Sequence, residues 1–348
     1  MSELLITLAR LESLLATLPK LTIGLVGDLF LDRYLEIDPG MHEMSIETGL
    51  EAYQITRVRN SPGALGTVMN NLTALGVGRL APVTVLGADG QAYDLLQALG
   101  RMPVDTAHII QDPDRLTPTY TKPLRRTVDG AWQELNRIDL RNCDQLSSPT
   151  QDRLFDELAA VFAKTDGLIV LDQVNEQGWG VVGPAMRDRL AELAAGDPAK
   201  LIFIDSRAHI AQFRCGTLKP NVHECLAALG RAANAATEDP AAAARDFAQL
   251  TGCPLYCTVG ERGILVTEPA GATVLAPGYP ASGPVDIVGA GDSATAGIVS
   301  ALLAGATRLE AAVVGNLVAS ITVQQLGTTG TATPTQVLER WHQVNRAG

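Results

Sequence analysis

The side chains of this 348-residue chain that could do chemistry converge on one short string, Val285-Asp286-Ile287-Val288-Gly289-Ala290-Gly291-Asp292. Residues 293–304 that follow are rich in Ala, Leu and Ile, so the Gly-Ala-Gly turn opens a helix. Small residues let backbone approach a ligand closely, and the first amides of a helix have no partner within it. Such a turn holds an anion. The carboxylate beside it has two readings. As a helix cap, Asp292 contributes about 1 kcal/mol and nothing more. As a base beside an anion-holding turn, it takes a proton from an attacking hydroxyl and contributes about 10²–10⁴ in rate. Further carboxylates end apolar runs elsewhere: Asp28 after 21–26, Asp89 after 83–86, Asp172 after 168–171, Asp205 after 201–204, and Glu261 after 256–259.

The elements that must position these groups repeat one pattern. An apolar, β-rich run ends in a polar turn, and an Ala/Leu-rich helical stretch follows. Strands alternating with helices predict βαβ units, a mainly parallel sheet and helices on both of its faces. Ligands gather at the carboxyl ends of such strands. That is where these carboxylates fall. Leu4, Leu8, Leu11, Leu15 and Leu18 recur at helical spacing and predict an amphipathic helix over 3–18, with Ser2 as its cap. The Ala-rich stretch 232–244 predicts helix around an Asp-Pro turn. Residues 34–58 and 117–138 break the rhythm with short polar and β-branched pieces, and are expected to form a small β-sheet lid over the ligand edge. No linker or repeat divides the chain, so one domain is expected over 1–348.

Composition narrows the classes. A net charge of −11 argues against a nucleic-acid binder held by bulk charge. Five scattered cysteines make no disulfide framework, and 143, 215, 225, 253 and 257 read as small residues in a reducing compartment. No basic, apolar and small-residue succession marks a secretory leader, and no apolar run approaches a membrane span. A cytoplasmic protein is expected. Gly76-Val77-Gly78-Arg79-Leu80-Ala81 matches a dinucleotide pattern but follows a helix and precedes a strand, so it reads as a helix stop. No P-loop, zinc-protease or serine-hydrolase motif occurs. Phosphoryl transfer without a P-loop is left standing.

The segment from Asp286 to Asp292 resembles the D-T-x-G-A-G-D signature of the ribokinase-like (PfkB) carbohydrate kinases, with Ile287 in place of the usual threonine. The resemblance implies a three-layer α/β/α domain with a β lid. It implies Asp292 as the base for a sugar hydroxyl, and the amides of Gly289, Ala290, Gly291 and Asp292 as the anion hole. Lys219-Pro220-Asn221-Val222-His223-Glu224 is similar to the family's P-N-x-x-E element, which places Asn221 and Glu224 near the phosphates and, indirectly, magnesium. Thr258, Gly260 and Gly263 resemble the strand–turn that holds ATP, and Asn316 falls where the family has an asparagine near adenine. Asp286, Val288, Thr322, Gln325, Gly327 and Thr331 fall at positions that bind a monovalent cation, such as potassium, in ribokinase.

The acceptor side resembles the family less closely. Gly27-Asp28-Leu29-Phe30-Leu31-Asp32-Arg33-Tyr34 is similar to the opening of bacterial heptose-phosphate kinases, which implies that Asp28 and Asp32 hydrogen-bond a sugar. Asp172 is a third candidate. Pro62-Gly63-Ala64-Leu65-Gly66-Thr67 departs from the family's P-G-G-A-A-N: Ala64 replaces a glycine and Thr67 a sugar-binding asparagine. Leu124-Arg125-Arg126 and Asn136-Arg137-Ile138-Asp139 resemble the heptose-kinase lid, where Arg137 would face the substrate. The implied substrate is a sugar or sugar phosphate, with no nucleic acid or membrane partner and a homodimer formed through the lid. A nucleoside kinase and a weakly catalytic sugar or nucleotide sensor are the alternatives.

Overall fold

The computed structural model describes residues 5–127, 129–231, 239–327 and 329–346. Helix α1 (Leu8–Thr17) leads into β1 (Thr22–Gly27) and two long strands, β2 (Leu29–Met44) and β3 (Glu51–Ala64). Then come α2 (Leu65–Ala74), β4 (Arg79–Gly87), α3 (Gly90–Leu99) and β5 (Ile109–Asp112). Three short strands, β6 (Thr119–Arg126), β7 (Trp132–Glu134) and β8 (Ile138–Leu140), precede α4 (Ser148–Lys164). The middle of the chain holds β9 (Gly167–Asp172), α5 (Pro184–Gly196), β10 (Leu201–Ser206), β11 (Thr217–Leu218) and α6 (Val222–Ala228). After α7 (Pro240–Thr251) run β12 (Leu255–Thr258), β13 (Gly263–Thr267) and β14 (Thr273–Pro277). Three helices finish it: α8 (Ala290–Leu303), α9 (Arg308–Thr322) and α10 (Pro334–Arg346).

The main sheet has the order β14-β13-β12-β11-β10-β9-β1-β4-β5. It is parallel from β5 to β12; β13 alone is reversed, pairing antiparallel with both β12 and β14. Its central strands are apolar throughout because both faces are covered. Ile169 and Leu171 of β9 pack into the core beneath α1, α2, α3, α8, α9 and α10. Leu168 and Val170 point the other way, into the core beneath α4, α5, α6 and α7. These are the three layers expected. The register sets Gly27 beside Leu171 and Asp172 beside Ser206, so the ends of β1, β9 and β10 form one edge.

A second sheet, β3-β2-β6-β7 with β8 also on β6, stands beyond that edge. Strand β2 is antiparallel to β3 and parallel to β6. Its strands start at Leu29 and reach Ala64, wider than the expected 34–58, because they continue straight out of the main domain; on the other side β8 ends at Leu140. The first helix also differs from its expected span. It begins at Leu8, where Thr7 Oγ1 accepts from the Arg10 amide at 3.3 Å, since a threonine next to the apolar run is itself a cap. The expected cap Ser2 lies outside the described residues. So does 232–238 of the Ala-rich stretch; its remainder enters α7, capped by Asp239. Among the described residues, no helix is long and apolar enough to cross a membrane.

Candidate active site

Helix α8 starts at Gly289, whose φ of 79° lies in the left-handed region that glycine adopts without steric cost. Among the described residues, no side chain caps this end. Asp292 sits in the first turn, half-buried, and makes no hydrogen bond or ion pair among the described residues. The capping reading therefore fails. Removal from water pushes its pKa up to about 7, reinforced by Asp205 and Asp32 and opposed by Lys219. A carboxyl poised there exchanges a proton near neutrality.

Around Asp292 the ends of β10, β11 and β2 deliver charge. Lys219 Nζ lies 2.8 Å from Asp205 Oδ2, and Thr295 of α8 donates its hydroxyl to the same oxygen at 3.3 Å. Asn221 and Glu224 spend groups on each other: the Glu224 amide donates to Asn221 Oδ1 at 2.9 Å, and the Asn221 amide to Glu224 Oε2 at 2.8 Å. This capping box fixes the start of α6. Burial, with Asp205 nearby, raises Glu224 to about 7 despite that bond. Lys219 and Asp205 received no catalytic role from the sequence. The signal was available in the Lys-Pro-Asn string and in a carboxylate ending an apolar run.

The acceptor-side residues divide into two groups. Asp32 lies near the start of β2, with Lys122 Nζ 3.2 Å from its Oδ2 and its Oδ1 buried without a partner among the described residues. Burial raises its pKa in spite of Lys122. Gly63 makes room for it, because a Cβ there would lie 2.8 Å from the Asp32 carboxyl carbon. Arg137 stacks over the Tyr120 ring at 3.9 Å and grips Asp139 with two bonds of 2.7 and 2.8 Å. Asp28 is different. Its Oδ2 accepts from the amides of Gln173 and Val174 at 2.9 and 3.2 Å, and its Oδ1 from Val181 at 2.7 Å. It thus anchors the loop after β9. Asp172 is buried and accepts from Ser206 Oγ at 2.8 Å; burial and the neighbouring Asp28 push it up to about 7. Thr67 turns its methyl towards Gly289, 3.5 Å from where a Cβ would sit. Ala64 holds φ 51°, the single non-glycine positive φ among the described residues. Arg125 pairs with Glu51, and Arg126 lies over Trp132.

On the other flank, Thr258 bridges to Asn221, and Gly260 and Gly263 shape the turn into β13. Asn316 is buried, and its amide nitrogen donates to the carbonyls of Ala276 and Pro277 at 2.9 and 3.1 Å, tying α9 to β14. The 286–331 positions do come together. Asp286 accepts from Val288 and Gly327 at 3.0 and 3.3 Å, Gln325 bonds the Thr331 backbone twice, and Thr322 Oγ1 meets Ser293 Oγ at 2.8 Å.

Comparison with solved structures matches the fold. Ribokinase from Cryptococcus neoformans var. grubii, solved with ADP, superposes with a TM-score of 0.62 at 19% identity, over 92% of this chain and 99% of that one. Arabidopsis thaliana ribokinase, solved with ribose and ATP, gives 0.66 at 16% identity, over 92% and 98%. The fold is ribokinase-like. Residues 185–336 match the family model described as pfkB family carbohydrate kinase. The "Bifunctional protein HldE" of Geobacter sulfurreducens is 30% identical over 333 residues, or 94% of this chain, and the chain spans 64% of that protein's length.

Proposed function

We propose that this protein transfers the γ-phosphoryl group of ATP to a hydroxyl of a sugar or sugar phosphate. The observation that carries this reading is Asp292, a carboxyl without a partner among the described residues and with a pKa of about 7, in the first turn of a helix opened by Gly289. The acceptor hydroxyl attacks the γ-phosphorus as the bond to the bridging oxygen breaks, and Asp292 takes the hydroxyl proton. Amides of Gly289, Gly291 and Asp292 hold the charge on the group in transfer, whereas the Ala290 amide, expected among them, already donates to the Ile287 carbonyl at 3.1 Å. Carboxylates Asp205, Glu224 and Asp292 are hard oxygen donors that suit magnesium, although no three such groups among the described residues form a ready cage. Magnesium held there by Glu224 through water and by the nucleotide itself would neutralise phosphate charge. Potassium at the 286–331 loops belongs to the same proposal.

The lid favours an anionic acceptor. Asp32 and Tyr34 share a face with Tyr120 and Lys122 in the parallel register. Both rings are already covered by cations, Tyr34 by Lys122 and Arg59, and Tyr120 by Arg137. Rings so occupied favour a sugar phosphate over a stacked nucleobase. Asp32 Oδ1, buried and unpaired among the described residues, would accept from a sugar hydroxyl. On the opposite lid face Val58 and Ile138 are exposed, which supports a lid-to-lid homodimer. A monomeric mass by light scattering at micromolar concentration would remove the dimer.

Incubation with ATP and a panel of sugars, sugar phosphates and nucleosides, read by ATP consumption, tests the reaction. Turnover of a sugar or sugar phosphate is expected. Turnover of nucleosides alone would move the protein to the nucleoside kinases, and nucleotide binding without any turnover would make it a sensor.

A further inference from the structure

Lys219 is 5% exposed, and an ammonium is almost never hidden without a partner. Its one hydrogen-bonding and ionic partner among the described residues is Asp205, 2.8 Å away. An ammonium carries three N–H donors, so two remain. Asp205 in turn accepts from Thr295, a fully buried residue of α8, and this ties the ammonium to the helix that carries Asp292. The same Nζ lies 3.5 Å from the point where a side chain on Gly291 would begin. The spare donors therefore face the middle of the Gly-Ala-Gly turn, beside the amides of Gly291 and Asp292, which have no acceptor among the described residues; the Ala290 amide donates to the Ile287 carbonyl at 3.1 Å. The charges of Glu224 from α6 and Asp292 from α8 also act on the ammonium, and that of Asp32 in the lid acts on Asp292. A buried Lys–Asp pair is by itself a weak source of stability, so its place against this turn calls for another use.

We propose that Lys219 is a catalytic residue, a charged donor added to the anion hole, and that Asp205 is the positioning residue that holds it there through Thr295. The inference rests on the kinase reading above. The amides supply partial charge, and Lys219 supplies a full one aimed at the group in flight.

Calorimetric titration tests it without an acceptor. Wild type, Lys219→Met and Lys219→Arg are titrated with MgADP, with and without aluminium fluoride, which completes a mimic of the planar phosphoryl group. Aluminium fluoride should tighten MgADP binding to the wild type by about 100-fold or more. Lys219→Met should lose about 10²-fold of that gain, the usual effect of deleting one anion-hole donor, and Lys219→Arg should keep part of it. Should Lys219→Met fail to fold around an unpaired Asp205, the double change Lys219→Met/Asp205→Asn leaves no orphan charge and should show the same loss. An undiminished gain in either variant, or no gain in a wild type that binds MgADP, overturns the role of Lys219. A wild type that binds no MgADP overturns the kinase reading itself.

Discussion

Asp292 has no partner among the described residues, and that isolation gives its exchange of protons a direction. It works as a base only when ionised. With a pKa raised to about 7 by burial and by Asp205, kcat/KM should climb with pH through about 7 and level off above it. Lys219 holds that pKa down, so Lys219→Met should move the rise to higher pH; an unmoved limb would mean that the two groups do not interact. Asp292→Asn should cost about 10²–10⁴ in turnover while ATP binding persists, and unchanged turnover would remove the base assignment. Ala64 adds a second residue-scale case. The sequence marks it as a lost glycine beside the sugar, yet its φ of 51° shows a cost in backbone strain as well. A non-glycine residue held there costs on the order of 1–3 kcal/mol, so Ala64→Gly should raise the midpoint of urea unfolding. A lower midpoint would mean that the methyl packs better than the strain costs.

At the scale of elements, the βαβ rhythm and the opening of α8 were legible, because buried parallel strands are continuous apolar runs and a Gly-Ala-Gly string before an apolar stretch has few other meanings. The lid limits were less so. Strands β2 and β3 run out of the core into solvent, where Tyr34, Lys122 and Arg59 replace the apolar alternation that marks a strand. Asp28 shows a different limit. Its amide partners at Gln173, Val174 and Val181 lie some 145–153 residues away in sequence, and no local pattern announces them. The start of α6 gives a prediction at this scale. Asn221 caps the helix and fixes Glu224, so Asn221→Ala should lower stability by about 1 kcal/mol, whereas Asn221→Ser should recover most of it, since serine caps as well. If serine restores stability but not the affinity for MgATP, the asparagine also acts on the phosphates; full recovery of both would reduce it to a cap.

Across the whole molecule, the ligand edge collects carboxyls that the fold keeps short of water. Asp172, Glu224 and Asp292 are each raised to about 7. A carboxyl that holds its proton more tightly when folded makes the folded state bind more protons than the unfolded chain between the ordinary value near 4 and about 7. Stability therefore falls as pH rises through that window, and the full penalty is present above about 7. His209 opposes this from below: burial lowers its pKa, so stability is lost as pH falls through its unfolded value of 6.5. The melting temperature of the ligand-free protein should thus be higher at pH 6.5 than at pH 8. Asp172 isolates the acid contribution, because it is buried, accepts one hydroxyl bond that an asparagine oxygen can also accept, and raises the proton affinity of its neighbours only by its charge. Asp172→Asn should melt roughly 2–6 °C above wild type at pH 8, and the gap should close as pH falls towards about 4, with His209 cancelling from the comparison. Two melting curves that stay parallel from pH 8 to pH 5 would mean that Asp172 is ionised in the folded protein throughout, and that the edge is better solvated than its burial implies.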